Sequence, residues 1–232
     1  MLVYGKNVAK TILKNKDQVK KIFLQENFNE KEILSYIEKE KLAYKRLSKA
    51  EMDRLCSGLH QGIILDVLDY PYQNLQDFLE REEELVVILD HLEDPHNLGA
   101  IIRTCEAAGI HSIILPKDRE VLVNSTVMKT SVGTLSSISL VLVSNLVQTM
   151  KKLKENNYWI TGTSLDGNMD YREIDYSGKM ALVIGNEGSG MSDLVTKNCD
   201  FLAKIPMYGE TNSLNASVAA GIMIYEMIRN RK

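Results

Sequence analysis

The chain has 232 residues, of which 44% are hydrophobic and 25% charged, a composition ordinary for one large or two modest globular domains. Its three cysteines, Cys56, Cys105 and Cys199, lie far apart and form no Cys-x-x-Cys pair, which argues against a metal site or a disulfide and favours a reducing cytoplasm. The N-terminus lacks the pattern of a signal peptide, and no apolar run approaches the about 20 residues of a membrane span. We therefore expect a soluble, cytoplasmic protein.

The charge is distributed unevenly around a formal net value of −3. Residues 1–70 hold 13 basic and 10 acidic side chains, whereas residues 71–232 hold 15 basic and 21 acidic ones. The basic excess includes a group of lysines near the N-terminus: Lys6, Lys10, Lys14, Lys16, Lys20 and Lys21. Such a lysine cluster is usually a solvated helix face, although it could also bind phosphates and make RNA binding salt-dependent. The charge permits RNA as a partner without demonstrating it.

The first 70 residues alternate between apolar patterns of helical and of strand period. The predicted elements are a helix at 6–13, a strand at 19–24, a helix at 30–39, a strand at 42–45, a helix from 48 and a strand at 63–68. The helix after Ser48 is indicated by a capping box, Ser48-x-x-Glu51. This alternation predicts a small α/β domain over residues 1–70.

Residues 71–84 are predicted to join this domain to a second one over residues 85–232. The linker is turn-like and then helical, with an acidic helix expected at 77–84. Strands of the second domain are predicted at 85–90, 112–115, 138–143, 158–162, 180–184 and 201–205, and helices at 98–108, 146–156 and 217–229. This pattern is typical of a doubly wound α/β sheet. A GxGxxG motif after the first of these strands is missing, so a nicotinamide site is disfavoured.

Three segments of the second domain place polar residues where a strand gives way to a loop and a helix: Asp94–Gly109, Ala181–Met191 and Ile205–Gly221. Ligands of open α/β sheets bind at this edge. Single residues of these segments also have structural explanations. Asn97 can cap its helix, and Ser213 or Asn215 can cap the last one. Arg103 can pair with Glu106 at helical spacing. The turn Asn186–Gly190 could also hold a phosphate, but no Gly-Lys-Ser/Thr follows it as in a P-loop.

These three segments, in this order, resemble the three motifs of SpoU-type (TrmH-type) RNA ribose 2′-O-methyltransferases of the SPOUT class. The resemblance runs from about Leu85 to the C-terminus. It implies a deep trefoil knot in the last strands, although knots are close to absent from proteins otherwise. In the first domain, Tyr4-Gly5-Lys6-Asn7 together with His60-Gln61-Gly62 resembles the substrate-binding domain of ribosomal-RNA members, which is similar in fold to ribosomal protein L30e. That likeness implies RNA binding by residues 1–70, whereas His60-Gln61-Gly62 alone would be a polar turn.

The resemblance also implies the site and its cofactor, S-adenosylmethionine (AdoMet), with no metal. The implied catalytic residues are Arg103, Asn97, Glu187, Ser213 and Asn215. The implied cofactor-binding residues are Gly185, Ile205, Leu214, Met207, Asn186 and Gly209. At Gly185, a ligand lying on the chain would leave no room for a Cβ atom. We expect Glu187 to orient its neighbours, and we give His96 no role as a base.

Arg103 occupies the place of the family's essential arginine, which is assigned the proton of the 2′-hydroxyl. Because a guanidinium stays protonated, we expect Arg103 to anchor a phosphate and stabilise the developing alkoxide, with a literal base role left open. The segment Lys129–Ser136 resembles a small-residue loop of the family but departs from it at Ser136, where many relatives carry an acidic residue or histidine. Substrate contacts in that segment are therefore open.

The terminal helix is apolar almost all round, with one face formed by Val218, Ile222, Tyr225 and Ile228. The resemblance implies a homodimer formed through this region. The function expected from the whole sequence is AdoMet-dependent 2′-O-methylation, most like that of a guanosine in large-subunit ribosomal RNA. Two alternatives stay open: a transfer-RNA 2′-O-methyltransferase, and a non-catalytic RNA-binding or assembly protein of the same fold.

Overall fold

A computed structural model of the chain describes residues 1–14, 18–56, 58–131, 133–229 and 231, so Lys16 of the lysine cluster and Val132 of the segment 129–136 lie outside the described residues. The chain forms two units: residues 1–71 with 123–133, and residues 72–122 with 134–232. No pattern in the sequence predicts that residues 123–133 belong to the first unit.

The first unit is built on a four-stranded sheet of order β1-β4-β2-β3, in which β2 and β3 are parallel and the other pairs antiparallel. Its strands are β1 (Leu2–Tyr4), β2 (Val19–Gln25), β3 (Tyr44–Leu47) and β4 (Ile63–Val67), and its helices are α1 (Lys6–Leu13), α2 (Lys31–Lys39), α3 (Lys49–Leu55) and α6 (Ser125–Thr130). The apolar faces of α1 and α2 pack on the sheet, and Met128 of α6 packs against the same core. The sheet and helices of this unit have the α/β character that the alternating pattern predicts, whereas the predicted domain boundaries at residues 70 and 85 stay predictions.

The capping box predicted at Ser48 is present. The Ser48 side chain accepts a hydrogen bond from the backbone N–H of Glu51 at 3.3 Å, and the Glu51 carboxylate accepts one from the Ser48 N–H at 2.8 Å. The prediction of strand 42–45 was early by two residues, and β1 was not predicted. A three-residue strand such as β1 has too little alternation to be distinguished from a loop without its partner β4.

The second unit contains a seven-stranded sheet of order β7-β6-β5-β10-β8-β11-β9, in which every recorded strand pair is parallel. The strands are β5 (Leu85–Asp90), β6 (Ser112–Pro116), β7 (Ser139–Val143), β8 (Tyr158–Thr163), β9 (Met169–Asp170), β10 (Lys179–Gly185) and β11 (Phe201–Lys204). The helices are α4 (Leu75–Leu79), α5 (Pro95–Ala107), α7 (Leu146–Glu155), α8 (Asp193–Thr196) and α9 (Ala216–Arg229). The α/β prediction with a parallel sheet is confirmed.

The linker helix is the element that differs most from its predicted position. It lies at Leu75–Leu79 rather than at 77–84, because the Asn74 side chain caps it by accepting from the Asp77 N–H at 3.0 Å. The two-residue strand β9 and the short helices α6 and α8 were also not predicted.

The strand order brings together the two strands that precede the first two motif segments. Gly185, at the end of β10, is paired with Asp90 at the end of β5. α9 packs on β10 and on α5, so the third segment returns to the same edge of the sheet. The implied trefoil knot stays a prediction. Within the described ranges, no helix is long and apolar enough to cross a membrane.

Candidate active site

The helix α5 begins beside the end of β5, and Asp94 caps it. The Asp94 side chain accepts a hydrogen bond from the backbone N–H of His96 at 2.8 Å, with Pro95 in the first helical turn. The hypothesis that Asn97 is the cap is therefore wrong. The Asn97 side chain lies inside the protein with only 5% of the residue exposed, so its amide needs partners there.

Those partners come from the other two motif segments. Asn97 donates from Nδ2 to Oε1 of Glu187 at 2.8 Å, and its Oδ1 accepts from Nδ2 of Asn215 at 2.9 Å. Glu187 also accepts from the backbone N–H groups of Glu93 at 3.4 Å and Asp94 at 3.3 Å. A single buried amide thus connects the three segments that the sequence placed at one sheet edge.

Asn215 has two roles. Besides its bond to Asn97, its Oδ1 accepts from the backbone N–H groups of Ser217 at 2.9 Å and Val218 at 3.3 Å, and from the Ser217 hydroxyl at 2.6 Å. Asn215 therefore caps α9 while fixing Asn97. Ser213 does not cap this helix; its side chain is exposed.

The glycine-rich turn after β10 is stabilised mainly by Asn186. Its Oδ1 accepts from the N–H groups of Gly188 at 2.9 Å and Ser189 at 3.1 Å, while its Nδ2 donates to the carbonyl oxygen of His91 at 2.8 Å. The Asn186 side chain thus shapes the turn and attaches it to the loop after β5.

Gly185 is required by the turn itself. A Cβ at this position would lie 2.3 Å from the backbone nitrogen of Met191 and 2.4 Å from the carbonyl carbon of Gly190. The space that we assigned to a ligand at Gly185 is therefore filled by the chain's own backbone. By contrast, a Cβ at Gly209 would have no heavy atom within 4 Å.

The loop 205–214 offers backbone groups to a ligand. Ile205 and Met207 are half-buried, Leu214 is 36% exposed and Gly209 is exposed. Among the hydrogen bonds between described residues, none involves the backbone groups of Met207, Gly209 or Leu214. Unpaired N–H and C=O groups beside apolar side chains suit a small ligand that carries both polar and apolar parts.

Arg103 lies on the exposed side of α5. Within the described part of the chain it makes no ion pair with any carboxylate, so the alternative in which Arg103 pairs with Glu106 is not realised. A free guanidinium on this helix is available to a phosphate or a carboxylate.

Two acidic residues near the site were missed by the sequence analysis. Asp90 accepts from the N–H of Ser192 at 2.7 Å and from its hydroxyl at 3.0 Å. Glu120, in the loop after β6, accepts from the N–H of Leu92 at 2.9 Å. Burial raises the pKa of Glu120 to about 8, assisted by the negative charges of Asp90 and Glu187 and opposed by hydrogen bonds from Leu92 and His91. Asp90 could have been suspected as a polar residue ending a buried strand, whereas Glu120 carries no such signal.

In the first unit, the His60-Gln61-Gly62 turn is held by internal bonds. Nδ1 of His60 accepts from the Gly62 N–H at 2.9 Å, and Nε2 lies 3.0 Å from Oδ1 of Asp53. Gln61 accepts from the N–H of Lys6 at 2.9 Å, which attaches the turn to the start of α1. These bonds give the motif a structural role.

The lysine cluster is partly neutralised. Lys6 pairs with Glu30 at 3.0 Å, and Lys10 contacts both Glu30, at 3.8 Å, and Glu32. The positive charge available to phosphates is therefore smaller than the lysine count suggests. Across the described residues, no three His, Cys, Asp or Glu side chains are grouped as metal ligands would be.

Two family models and several known proteins match this chain over most of its length. The sequence model of the SpoU rRNA Methylase family matches residues 84–225, and that of the RNA 2′-O ribose methyltransferase substrate-binding domain matches residues 2–73. A Staphylococcus epidermidis protein named as a TrmH family tRNA/rRNA methyltransferase is 39% identical over 239 aligned positions, covering 100% of this chain and 96% of that protein.

Two solved structures have the same fold over almost the whole chain. The SpoU methyltransferase AviRb from Streptomyces viridochromogenes, in complex with AdoMet, is 25% identical with a TM-score of 0.82, covering 100% of this chain and 90% of that one. An AdoMet-bound rRNA methyltransferase from Sinorhizobium meliloti is 26% identical with a TM-score of 0.79, covering 98% and 86%. The chain belongs to the SpoU (TrmH) family of RNA methyltransferases, and the predicted resemblance is confirmed.

Proposed function

We propose that this protein is an AdoMet-dependent methyltransferase that modifies a ribose 2′-hydroxyl, that of a guanosine in large-subunit ribosomal RNA. The observation that carries the proposal is the bonding of Asn97 to both Glu187 and Asn215, because it joins three motif segments at the ligand-binding edge of a parallel sheet.

The residues of loop 205–214 fit AdoMet. Backbone groups of Ile205, Met207 and Leu214 would hold the adenosine and methionine parts, and the open space at Gly209 leaves room for ligand atoms. Bound there, AdoMet would supply a methyl group that its sulfonium already activates. Because Asn186 and Gly185 are engaged in shaping the neighbouring turn, their contribution is to place that turn against the cofactor.

The protein's own part in the reaction is mainly positioning. Asn97, Glu187 and Asn215 fix the segments that surround the ribose, and the exposed Ser213 is available to the substrate. Arg103, which makes no ion pair within the described part of the chain, would hold a phosphate next to the target ribose and stabilise the oxyanion that forms as the 2′-hydroxyl loses its proton.

The first unit supports ribosomal RNA as the substrate. Its match to a substrate-binding domain, which compact transfer-RNA enzymes usually lack, favours the ribosomal assignment over the transfer-RNA alternative. Exposed lysines that form no ion pair with another described residue, such as Lys14 and Lys21, remain available to phosphates. We place the reaction in the cytoplasm, in keeping with the reduced cysteines.

A homodimer is the second part of the proposal. Buried residues of α9 face β10 and α5, but Val218 is 50% and Tyr225 54% exposed on the opposite face. An apolar face of this kind on a helix next to the site fits a second copy of the chain, which would complete the site from two protomers.

Transfer of labelled methyl from AdoMet to separate pools of unmodified ribosomal and transfer RNA tests the substrate. We expect label in ribosomal RNA. Label in transfer RNA alone would keep the enzyme class and overturn the role given to the first unit. AdoMet binding without transfer to either pool, or to ribosomal precursor particles, would favour the non-catalytic alternative.

A further inference from the structure

The loop of residues 91–94 is fixed from two sides. On one side, Glu93 and Asp94 donate their backbone N–H groups to Glu187, and His91 accepts from the Asn186 side chain. On the other side, the Leu92 N–H donates to Glu120, and the Leu92 carbonyl oxygen accepts from the Val121 N–H at 2.8 Å. The loop thus lies between the glycine-rich turn and the segment that follows β6.

This loop has a conformation that needs support. His91 has φ of 62°, the left-handed region that a residue with a Cβ rarely adopts. Such a backbone persists only when its surroundings hold it. The Leu92 N–H donates to the Glu120 carboxyl group and the His91 carbonyl oxygen accepts from Asn186, so the peptide group that joins His91 to Leu92 is held at both its N–H and its C=O.

The surroundings of Glu120 suit a neutral carboxyl group. Its Oε1 is buried and has no hydrogen-bond partner among the described residues. The charged or titratable groups around it are Asp90 and His91 at the end of β5, Glu187 in the glycine-rich turn, and Asp118 and Arg119 in its own loop. A further negative charge close to the buried Asp90 and the exposed Glu187 would be repelled by both, and on the buried Oε1 atom of Glu120 it would be poorly solvated.

We propose that Glu120 is a positioning residue, whose neutral carboxyl group holds the 91–94 loop, and through it Asn186 and Glu187, in the arrangement that binds AdoMet. Its ionisation weakens that arrangement, because the new charge is repelled by Asp90 and Glu187 across the loop. The inference rests on the proposed cofactor, and Glu120 itself makes no contact with substrate in it.

The test is the dissociation constant for AdoMet, measured by calorimetry between about pH 6.5 and about pH 9.5. Glu120→Gln is the decisive variant, because its amide keeps an acceptor for the Leu92 N–H and imitates the neutral acid at every pH. Glu120→Ala removes the support, and Asp118→Asn, an exposed acid in the same loop, is the matched control for loss of one charge.

At the acidic end, we expect wild type, Glu120→Gln and Asp118→Asn to bind alike and Glu120→Ala to bind more weakly. At the alkaline end, wild type should bind at least about fivefold more weakly than Glu120→Gln. The amino group of AdoMet loses its proton near pH ~8, but this affects all variants equally. The ratio of the dissociation constants of wild type and Glu120→Gln at each pH therefore reports the ionisation of Glu120 alone.

Equal pH profiles for wild type and Glu120→Gln would overturn the proposal, and so would tighter binding by wild type at alkaline pH, which would mean that the charge attracts the cationic cofactor. Glu120→Ala binding as tightly as wild type would also overturn it. If circular dichroism shows that Glu120→Ala does not fold, the comparison of wild type with Glu120→Gln decides alone. Wild type that binds no AdoMet at any pH would instead refute the proposed function.

Discussion

Asn215 donates a hydrogen bond to the buried Asn97 at 2.9 Å across a sequence separation of 118 residues. The same Asn215 caps α9, so the start of that helix and the start of α5 are fixed to each other by one side chain. Glu187 completes the connection through the other end of the Asn97 amide. The three motif segments are therefore held in position by hydrogen bonds that meet at the Asn97 side chain.

The first prediction concerns this coupling. Asn97→Ala should destabilise the protein by about 1–3 kcal/mol, because it removes the buried amide that bonds to both Glu187 and Asn215 and leaves the Nδ2 group of Asn215 without its acceptor. Asn215→Ala should cost a similar amount, since it removes a cap as well. In a urea double-mutant cycle the two losses should be less than additive by at least ~0.5 kcal/mol, and strict additivity would contradict the network. Asn215→Ser keeps an oxygen that can cap α9 but loses the amide that donates to Asn97. The stability of this variant therefore measures the loss of the Asn97 bond without the loss of the cap.

Arg103→Ala should abolish methyl transfer while AdoMet affinity and thermal stability stay near wild type. The side chain is exposed and makes no ion pair within the described ranges, so its loss should change stability by no more than about 0.5 kcal/mol. Arg103→Lys tests whether a point charge is sufficient or a planar guanidinium is needed. Turnover by Arg103→Ala at the wild-type rate would remove Arg103 from the site.

Gly185→Ala should unfold or displace the glycine-rich turn, because the added Cβ meets backbone atoms of Gly190 and Met191 that cannot move independently. Gly188→Ala is the matched control, since its Cβ would lie 3.6 Å from the nearest atom, the Asn186 Oδ1. We expect a lower melting temperature and lost AdoMet binding for Gly185→Ala only. Equal behaviour of the two variants would show that the turn adapts.

Tyr225→Asp should convert a dimer to a monomer in size-exclusion chromatography with light scattering, because a charge would be placed in the apolar face of α9. Lys151→Glu, on the exposed side of α7, is a control that changes a surface charge elsewhere. A monomeric mass for the wild type would exclude the dimer outright.

Stability should respond to Glu120 with a definite sign. An unfolded glutamate titrates near pH ~4.3, whereas the pKa of Glu120 in the folded chain is about 8. Between these values the folded chain keeps a proton that the unfolded chain has lost, so stability falls as pH rises. Glu120→Gln does not titrate, and its advantage over wild type should grow across this window, by at most ~1.4 kcal/mol per pH unit, and stay constant above it. A pH-independent difference in urea unfolding would contradict this.

Much of the fold was predictable because its signals are local. The capping box at Ser48 and the apolar run of β5 each specify their element within a few residues. The strand β9 was not predictable, since two residues form a strand only by pairing with β11. The linker helix begins earlier than its acidic residues indicate, because the Asn74 side chain caps it.

The site, like the fold, has features that the sequence predicts locally and features that arise only from the tertiary fold. The motif segments were found from sequence, but their bonding depends on atoms brought together from more than a hundred residues apart. Sequence spacing suggested an Arg103–Glu106 pair that is not formed, and it suggested Asn97 as a cap where Asp94 serves. Glu120 could not have been singled out, because its burial is a consequence of the tertiary fold alone.

The most direct test of the central claim is nucleoside analysis of RNA methylated by the purified protein with labelled AdoMet. We predict label in 2′-O-methylguanosine from ribosomal RNA, and a labelled dinucleotide that resists alkaline hydrolysis, because a 2′-O-methyl group removes the nucleophile that cleaves the chain. Label in a base-methylated nucleoside, with complete alkaline cleavage at the modified position, would contradict the account.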